Sequence, residues 1–464
     1  MTNKSIAWML TVPLLTGVLA GCSGGNQPQQ AQTDSGKTAA PAASSAGGGA
    51  KAEEPVTINF WGAITEESGP AKVVENWNKA NPNIKVNYKR FVNDEAGNTK
   101  LETALLASGE VDVFISYRAD KVMKRIESGM AEPLDEYIKK DNFNVEENFG
   151  KQSIVKPNNK TYYIPAIILN DFITINKKFL DDAQLPIPKD WTWDEYKEYA
   201  KKLSKGDGAG KVWGSMVGNV PKVYEWMDKA VKVPVGQDAF YTSDGKSNFE
   251  NPAFKKYLDD QIDLQNKLKV QPNFAEAKAT KMDGNQMFLS GKAAMFWQGT
   301  AVLRNIKNLK DYPHDFVTAF APVPKQNKDD KYTTAGTGYL DFVSINSRSK
   351  VKDAAWKFVK WYVTEGNEPM IEGGRVPAWK KADPEKVVKL ILGDNPEKLF
   401  DVASFKSALM LDKEFIVDTK FTSMPEIQKI VEEEGERAFI GEQTSDQAVK
   451  NMKKRSDEVL AKSK

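Results

Sequence analysis

The segment VTINFWG, residues 56–62, alternates apolar and polar side chains over its first five positions, as a half-buried β-strand does. The segment GPAKVVENWNKA, residues 69–80, then spaces its apolar side chains as an amphipathic helix, and an Asn-Pro pair follows it. A second strand, NIKVNY at 83–88, precedes a helix and a third strand within KLETALLASGEVDVFISY, residues 100–117. This alternation of strands and helices predicts a parallel α/β sheet.

Three residues fall at the carboxyl ends of these strands, where parallel α/β sheets bind their ligands. Trp61 comes directly before Gly62 at the end of the first strand, and Tyr117 and Arg118 follow the third. We therefore take these three residues as candidate ligand contacts.

The composition limits the classes of function that this chain can have. Its 464 residues exceed what one hydrophobic core usually accommodates, which predicts two domains. The 65 Lys and Arg residues nearly balance the 63 Asp and Glu residues, so nothing favours a nucleic-acid partner. The chain has a single histidine, His314, which excludes a multi-histidine metal site. His314 is also the only histidine that could serve as the base of a Ser-His pair. We expect no catalytic residue, no metal and no cofactor.

The N-terminal region is typical of an exported and anchored protein. Residues 6–20, IAWMLTVPLLTGVLA, are apolar but too short to span a bilayer, which predicts a signal sequence over residues 1–21. The sequence LAGC ending at Cys22 resembles the bacterial lipobox, which implies lipid on Cys22 and attachment to the outer face of the cell membrane. Residues 22–54 are rich in Gly, Ser, Ala, Gln and Pro, which predicts a flexible tether and favours a Gram-positive envelope over a periplasm.

Some conspicuous residues have structural explanations. Thr192 and Glu195 have the spacing of a capping box at a helix start, and Thr444 with Gln447 has the same spacing before the last helix. Three tryptophans on helices with apolar stripes are expected in the core: Trp77, Trp356 and Trp361.

Other aromatic residues stand beside polar ones, which is the combination that a sugar site needs. Sugar rings present C–H faces that stack on aromatic rings. Their hydroxyls need polar partners, because a buried unpaired hydroxyl costs about 1–3 kcal/mol. The residues that fit are Trp61, Tyr117 with Arg118, Asn170 with Asp171, Tyr224 with Trp226, Trp297, Tyr339 with Asp341, and Arg375 with Trp379.

The order of several segments resembles the extracellular solute-binding proteins of ABC importers, in the branch that binds maltose and other oligosaccharides. The segments are NWNKANPNIKV (76–86), LASGEVDVFI (106–115), GMAEPLDEYI (129–138), YYIPAIILNDFITINKKFLDDAQLPIPKDWTWDEY (162–196), FLSGKAAMFWQGT (288–300), APVPK (321–325), SINSRSKVKDAAWKFVKWYV (344–363) and GGRVPAW (373–379). They extend over nearly the whole body of the chain in the order that the family has.

The resemblance implies an α/β fold of two discontinuous lobes joined by a three-segment hinge. The N-terminal lobe would comprise residues 55–168 and 340–368, and the C-terminal lobe residues 169–339 and 369–464. The chain would cross between lobes near 166–171, 338–341 and 365–375. The resemblance also implies a function. The chain would be the monomeric substrate-binding lipoprotein of an ABC importer, which captures a carbohydrate, in this branch an oligosaccharide, between the lobes and delivers it to ABC permease subunits.

The family's contact positions fall on the candidate residues named above. DVFISYR supplies Tyr117 and Arg118, and the segment PAIILNDF supplies Asn170 or Asp171. Close maltose binders carry a tryptophan after the glycine of MFWQGT, where Ala301 stands here, whereas this chain has Trp297 before it. The resemblance therefore implies a sugar other than maltose.

Two alternative functions stay open. A secreted enzyme on polysaccharide could use a pair of carboxylates without any histidine. The same fold could also bind a peptide, a polyamine or a phosphorylated solute; polyamines would need a dense acidic site and phosphates a glycine-rich basic one.

Overall fold

The computed structural model describes residues 55–107, 109–218, 221–333, 338–411 and 413–463. The strands are β1 (Val56–Gly62), β2 (Ile84–Arg90), β3 (Val113–Ser116), β4 (Ile164–Ile168), β5 (Asp171–Asn176), β6 (Met216–Val217), β7 (Met295–Gly299), β8 (Thr318–Ala321), β9 (Tyr339–Ile345) and β10 (Val376–Pro377). The helices are α1 (Pro70–Ala80), α2 (Glu95–Leu106), α3 (Ala119–Glu127), α4 (Asp135–Lys140), α5 (Val145–Phe149), α6 (Lys177–Asp182), α7 (Trp193–Leu203), α8 (Tyr224–Val235), α9 (Pro252–Ile262), α10 (Phe274–Ala279), α11 (Gly284–Leu289), α12 (Val302–Lys307), α13 (Lys352–Tyr362), α14 (Pro384–Leu392), α15 (Val402–Leu409), α16 (Met424–Phe439) and α17 (Ser445–Lys462).

The strands form two sheets. One has the order β10-β4-β9-β3-β1-β2 and the other the order β6-β7-β5-β8. β1 pairs in parallel with β2 and β3, which confirms the parallel arrangement predicted from the first three strands. β9, however, runs antiparallel to both β3 and β4. It enters this sheet directly from the other sheet, without the helical crossover that parallel neighbours require, so the sheet is mixed.

The chain passes between the two sheets three times. It leaves the six-stranded sheet at the end of β4 and enters the four-stranded sheet at β5, with two residues between the strands. It returns between β8 and β9, and after β10 it continues into α14, which packs with side chains of the four-stranded sheet. The α/β fold of two discontinuous lobes with a three-segment hinge is thereby confirmed.

Hydrogen bonds from Thr300 tie two of these passages together. Its backbone N–H donates to the carbonyl oxygen of Asn170 at 3.1 Å, and its hydroxyl donates to the carbonyl oxygen of Gly374 at 2.8 Å. Gly374 has a φ of +85°, and an added Cβ there would lie 2.9 Å from the Thr300 carbonyl oxygen. The turn therefore needs a glycine for both its backbone conformation and its space.

Aromatic side chains fill the core beside the six-stranded sheet. Phe60 on β1 and Trp77 on α1 both contact Phe358 on α13, with ring centroids 5.2 and 5.3 Å apart. Trp77 and Trp356 are buried, which confirms their predicted place in the core, and the half-buried Trp361 packs against Trp77 at 5.1 Å. The helical spacing of these residues was sufficient to predict this, because one face of each helix must cover the sheet.

The predicted capping boxes have different outcomes. At α7, Glu195 donates its backbone N–H to the Thr192 hydroxyl, and the Glu195 carboxylate accepts the Thr192 N–H at 2.7 Å, so both halves form. At α17, Thr444 accepts the N–H of Gln447 at 3.2 Å, but the Gln447 side chain donates to Asn451 instead of returning to the cap. An acceptor one helical turn ahead therefore replaces the second half of that box.

The predicted signal sequence at residues 1–21, the tether at 22–54 and Cys22 lie outside the described residues. Within the part of the chain that the structure describes, no helix combines the length and apolarity needed to cross a bilayer.

Candidate ligand cleft

A cavity of about 670 Å³ lies between the start of α3 on one side and helices α8 and α16 on the other. One wall is the start of α3, with Arg118 and Asp120, directly after β3 of the six-stranded sheet. The opposite wall is built by α8 and α16, which pack on the core of the four-stranded sheet. Asp171, the first residue of β5, lies between the walls. The cavity therefore occupies the space between the lobes.

α8 presents its polar side chains to this cavity because of their helical spacing. Tyr224, Asp228 and Lys232 recur every four residues and fall on one face, and Glu225 and Lys229 extend it. The helix begins without a side-chain cap of its own. Instead, the carboxylate of Glu432 on α16 accepts the N–H groups of Val223 and Tyr224 at 2.8 and 2.9 Å.

The same carboxylate also favours the start of α8 electrostatically, because the N-terminus of a helix carries a partial positive charge. The wall of the cleft is thus positioned by a helix some 200 residues further along the chain. No local sequence signal at α8 indicates this support.

Buried ion pairs form the floor of the cleft. Lys229 contacts the Asp171 carboxylate at 2.7 Å, and Lys232 contacts Asp228 at 2.8 Å and Asp418 at 2.6 Å. Burial alone would lower the pKa of Lys232, but the two carboxylates raise it above its usual value. Burial raises the pKa of Asp228, and Lys232 opposes this shift. Charges at this depth must stay paired, because removing one partner leaves an uncompensated buried charge.

Two buried polar atoms at the first passage between sheets have no hydrogen-bond partner among the described residues. They are Oδ1 of Asp171 and Nδ2 of Asn170. The side chain of Asp171 is 1% exposed, and its other oxygen holds Lys229. The Asn170 side-chain oxygen accepts from Lys413 at 3.0 Å, and burial lowers the pKa of Lys413 to about 8. The passage therefore contains one buried acceptor and one buried donor without a protein partner among the described residues.

Arg118 is the predicted residue that reaches across the cleft. Its side chain is 50% exposed and pairs with Asp120 at 2.8 Å. Its guanidinium also donates to the side-chain oxygen of Gln428 on α16 at 3.4 Å. Arg118 thus joins the two walls by a long, solvent-accessible contact.

Three other predicted residues form a second cluster near the end of β1. Asp341, at a φ of +52°, makes an ion pair with Arg375 at 3.0 Å. Burial raises the pKa of Asp341, and the Arg375 guanidinium opposes that shift. The Tyr117 hydroxyl accepts the N–H of Ala63 at 2.7 Å, and burial raises the pKa of this tyrosine. Asp341 and Arg375 join the second and third passages of the chain.

The structure places the remaining predicted aromatic residues in packed surroundings. Trp226 and Trp297 meet edge to face at 4.9 Å in the core beside the four-stranded sheet, and Trp297 has no exposed surface. Trp61 is 2% exposed, and its indole N–H donates to the carbonyl oxygen of Glu110. Tyr339 is buried and stacks on Phe415 at 4.8 Å, and the half-buried Trp379 donates to Asn148 at 3.1 Å.

Of the twelve predicted ligand residues, the cavity therefore brings together Arg118, Asp171 and Tyr224. Asn170 comes directly before Asp171 in the chain, and its side chain accepts a hydrogen bond from Lys413. Ligand contact by any of them stays a prediction.

Sequence reasoning missed most of the charged lining. Asp228, Lys229 and Lys232 could have been found, because their spacing within YEWMDKAVK puts them on the face that begins with Tyr224. Asp418 and Gln428 belong to segments far along the chain without any recognisable motif. Among the described residues, no group of histidine, cysteine and acidic side chains is arranged to hold a metal ion.

A two-lobed α/β protein with a polar cleft between its lobes has the architecture of a solute-binding protein. The chain belongs to the bacterial extracellular solute-binding protein family, whose sequence profile matches residues 62–369.

One relative with a named ligand matches part of this chain. A maltotriose-binding protein from Pyrococcus abyssi is 28% identical over 268 residues, which cover 57% of this chain and 53% of that protein. The matched region thus spans about half the length of that relative.

Solved structures share the fold at lower identity. A sugar transporter from Rhizobium etli in an open conformation has a TM-score of 0.72 at 21% identity, with 86% of this chain and 99% of that chain covered. UgpB from Mycobacterium tuberculosis in complex with glycerophosphocholine has a TM-score of 0.67 at 16% identity, with 88% and 99% covered. Similar folds in this group therefore occur with chemically different ligands.

Proposed function

We propose that this protein is the substrate-binding lipoprotein of an ABC importer, which captures a carbohydrate, most simply an oligosaccharide, and delivers it to the permease. The proposal is supported by membership of the solute-binding family and by the maltotriose-binding relative. The lobes would comprise residues 55–168 with 340–368 and residues 169–339 with 369–464, and the protein would act as a monomer. It would hold its ligand without cleaving it.

The observation that carries the proposal is the unpaired Oδ1 of Asp171 at the edge of the cavity. A carboxylate oxygen that is buried and lacks a donor is costly unless a ligand supplies one. Sugar hydroxyls are such donors, and the free amide nitrogen of Asn170 can donate to a second hydroxyl.

Binding would favour closure because both walls contribute contacts. A ligand shifts a two-state equilibrium only when it binds one state better than the other. A solute that touches Arg118 on one wall and Tyr224 on the other makes both contacts only when the lobes are close. This hinge closure would present the closed form to the permease.

Membrane attachment would come from the N-terminal region. The signal sequence at 1–21 would be removed and Cys22 would carry the lipid. Residues 22–54 would tether the rest of the chain to the outer face of the cell membrane. Incorporation of labelled palmitate into the chain, lost in Cys22→Ser, tests this part. A Cys22→Ser chain that remains in the membrane fraction would contradict it.

The ligand is tested by a thermal-shift screen of the full chain against neutral and acidic oligosaccharides, with amino acids and peptides as controls. A ligand that binds only the folded state raises the unfolding midpoint. We expect one class of glycan to raise it and to remain intact by chromatography. Consumption of the glycan would contradict a binding function.

The role of Asp171 is tested by calorimetry with the glycan that the screen identifies. Asp171→Asn should weaken binding by roughly 10- to 100-fold, the factor expected for a hydrogen bond to a charged group. The matched control is Asp194→Asn, because the side chain of Asp194 is 85% exposed and lies outside the cleft. Equal affinities of the two variants would refute the assignment.

A second candidate is a charged, non-sugar solute such as a peptide, a polyamine or a phosphorylated compound. The observation that favours it is the charged lining of the cleft, where the aromatic side chains are limited to Tyr224 and Phe421 among the described residues. A midpoint that rises with such a solute and with no glycan would establish this alternative.

A further inference from the structure

A second cavity, of about 350 Å³, lies on the side of α8 that faces away from the cleft. Ala230 and Pro234 of α8 line it, whereas Asp228, Lys229 and Lys232 of the same helix line the cleft. The opposite side of this cavity is formed by the first turns of α9, including Pro252 and Ala253. We refer to it as the α8–α9 cavity. Its size is at the lower end of the range for small-molecule sites.

Side chains that can donate hydrogen bonds line the α8–α9 cavity, and one of their donors is buried without a protein partner among the described residues. Nε2 of Gln326 is buried without a partner. The indole of Trp193 and the side-chain amide of Gln261 line the same cavity. A buried donor without an acceptor is costly, so Nε2 of Gln326 points to a ligand that supplies an oxygen atom.

The charged side chains at the cavity are already neutralised. Asp260 contacts Lys256 at 3.1 Å and Lys197 at 2.5 Å, and Lys197 also lies 3.8 Å from Asp194, so two carboxylates face two ammonium groups. An ionised ligand would find no unpaired counter-charge there, and burying an unpaired charge is strongly unfavourable. The occupant should therefore be uncharged.

The walls of the cavity provide a rigid apolar surface. The Trp193 ring is held by Tyr196 and Trp297, each with ring centroids 5.2 Å away. Pro234, Pro252 and Ala253 add further apolar contacts. C–H groups of a ligand ring can pack on this surface while one of its oxygen atoms accepts from Nε2 of Gln326.

We infer that the α8–α9 cavity is an accessory binding site for one uncharged sugar ring, separate from the cleft between the lobes. A monosaccharide combines an apolar C–H face with acceptor oxygens on its edge, and its size fits a cavity at the lower end of the small-molecule range. The site does not depend on which solute the cleft binds.

The test is ligand-observed saturation-transfer NMR on the full chain with D-glucose, D-galactose and N-acetyl-D-glucosamine at millimolar concentration. We expect at least one of the three to give a signal that persists in Asp171→Asn, the cleft variant. Ala230→Phe fills the α8–α9 cavity from α8 and should abolish the signal. Gln326→Leu removes one free donor and should weaken binding roughly two- to tenfold, the factor for one neutral hydrogen bond.

Two results would overturn the inference. One is the absence of any signal with all three sugars. The other is a signal that is lost in Asp171→Asn but kept in Gln326→Leu, because the sugar would then occupy the cleft. Circular dichroism and the unfolding midpoint establish whether Ala230→Phe is folded. If it is not, the sugar affinity of Gln326→Leu, whose substitution lies in a loop between β8 and β9, decides whether the sugar occupies the α8–α9 cavity.

Discussion

Replacing Lys232 by methionine removes the ammonium group that two buried carboxylates share. In the structure Nζ of Lys232 lies 2.8 Å from Asp228 and 2.6 Å from Asp418, and its side chain is 3% exposed. Methionine fills a similar volume, so the change removes the charge with little change in packing. Asp228 and Asp418 are left facing each other without their common cation.

The cost should be about 3–5 kcal/mol in the free energy of unfolding, the range measured when one partner of a buried ion pair is removed. The cost should depend on pH. In the native chain, the pKa of Lys232 is raised, so its contribution is fully present below the unfolded pKa of lysine and is lost only as the pH rises through the folded value. In the variant, the raised pKa of Asp228 loses the opposing effect of Lys232, so the penalty is largest at alkaline pH and shrinks as acid protonates that carboxyl.

Urea unfolding followed by circular dichroism at pH 8 and pH 5 measures both effects. The control is Lys429→Met, because the Lys429 side chain is 77% exposed and lies 3.9 Å from its nearest acid; it should change stability by less than about 0.5 kcal/mol. Adding Asp418→Asn to Lys232→Met should restore part of the loss. A cost below about 1 kcal/mol at pH 8, or a cost that does not fall at pH 5, would refute the argument that these charges depend on one another.

Further predictions concern the hinge, a helix cap and the wall of the cleft. Gly374→Ala should destabilise the chain by about 1–3 kcal/mol, because it combines a positive φ with a Cβ 2.9 Å from the Thr300 carbonyl oxygen. Gly393→Ala has a similar φ of +80° but open space around its Cβ, so urea unfolding should show a smaller loss. Thr192→Ala removes half of the capping box and should cost about 1 kcal/mol by the same measurement, and no change would mean that Glu195 alone suffices. Arg118→Gln should leave stability within about 1 kcal/mol, because its ion pair is exposed, but should weaken ligand binding by calorimetry; unchanged affinity would exclude Arg118 from the site.

Much of the fold could be predicted from the sequence because its signals are local. The alternation in β1, the apolar stripe of α1 and the Thr192 capping box each depend on residues within a few positions of one another. The resemblance to the solute-binding family, rather than a local signal, indicated Asn170 or Asp171 at the crossing, and Asp171 lines the cavity.

The candidate site was harder to predict because burial is a tertiary property. Trp61 and Trp297 were predicted as ligand contacts because aromatic rings near polar residues suit a sugar site, but neighbouring elements cover both. Lys232 and Asp418 come together only because the segment before α16 folds against α8. A pattern of spacing cannot report such a contact, since nothing in either segment depends on the other until the chain is folded.

The sequence by itself determined the first strands and helices and the capping box at Thr192, because periodicity and caps act over one or two turns of chain. Its resemblance to a known family indicated the two-lobed class, and the lipid anchor at Cys22 stays a prediction from the resemblance to a lipobox. Only the tertiary structure decided which polar groups face the cleft, which charges neutralise one another, and which aromatic rings are enclosed. The physical reason is that desolvation and ion pairing depend on distances between residues remote in sequence, and those distances exist only once both sheets and their covering helices are packed.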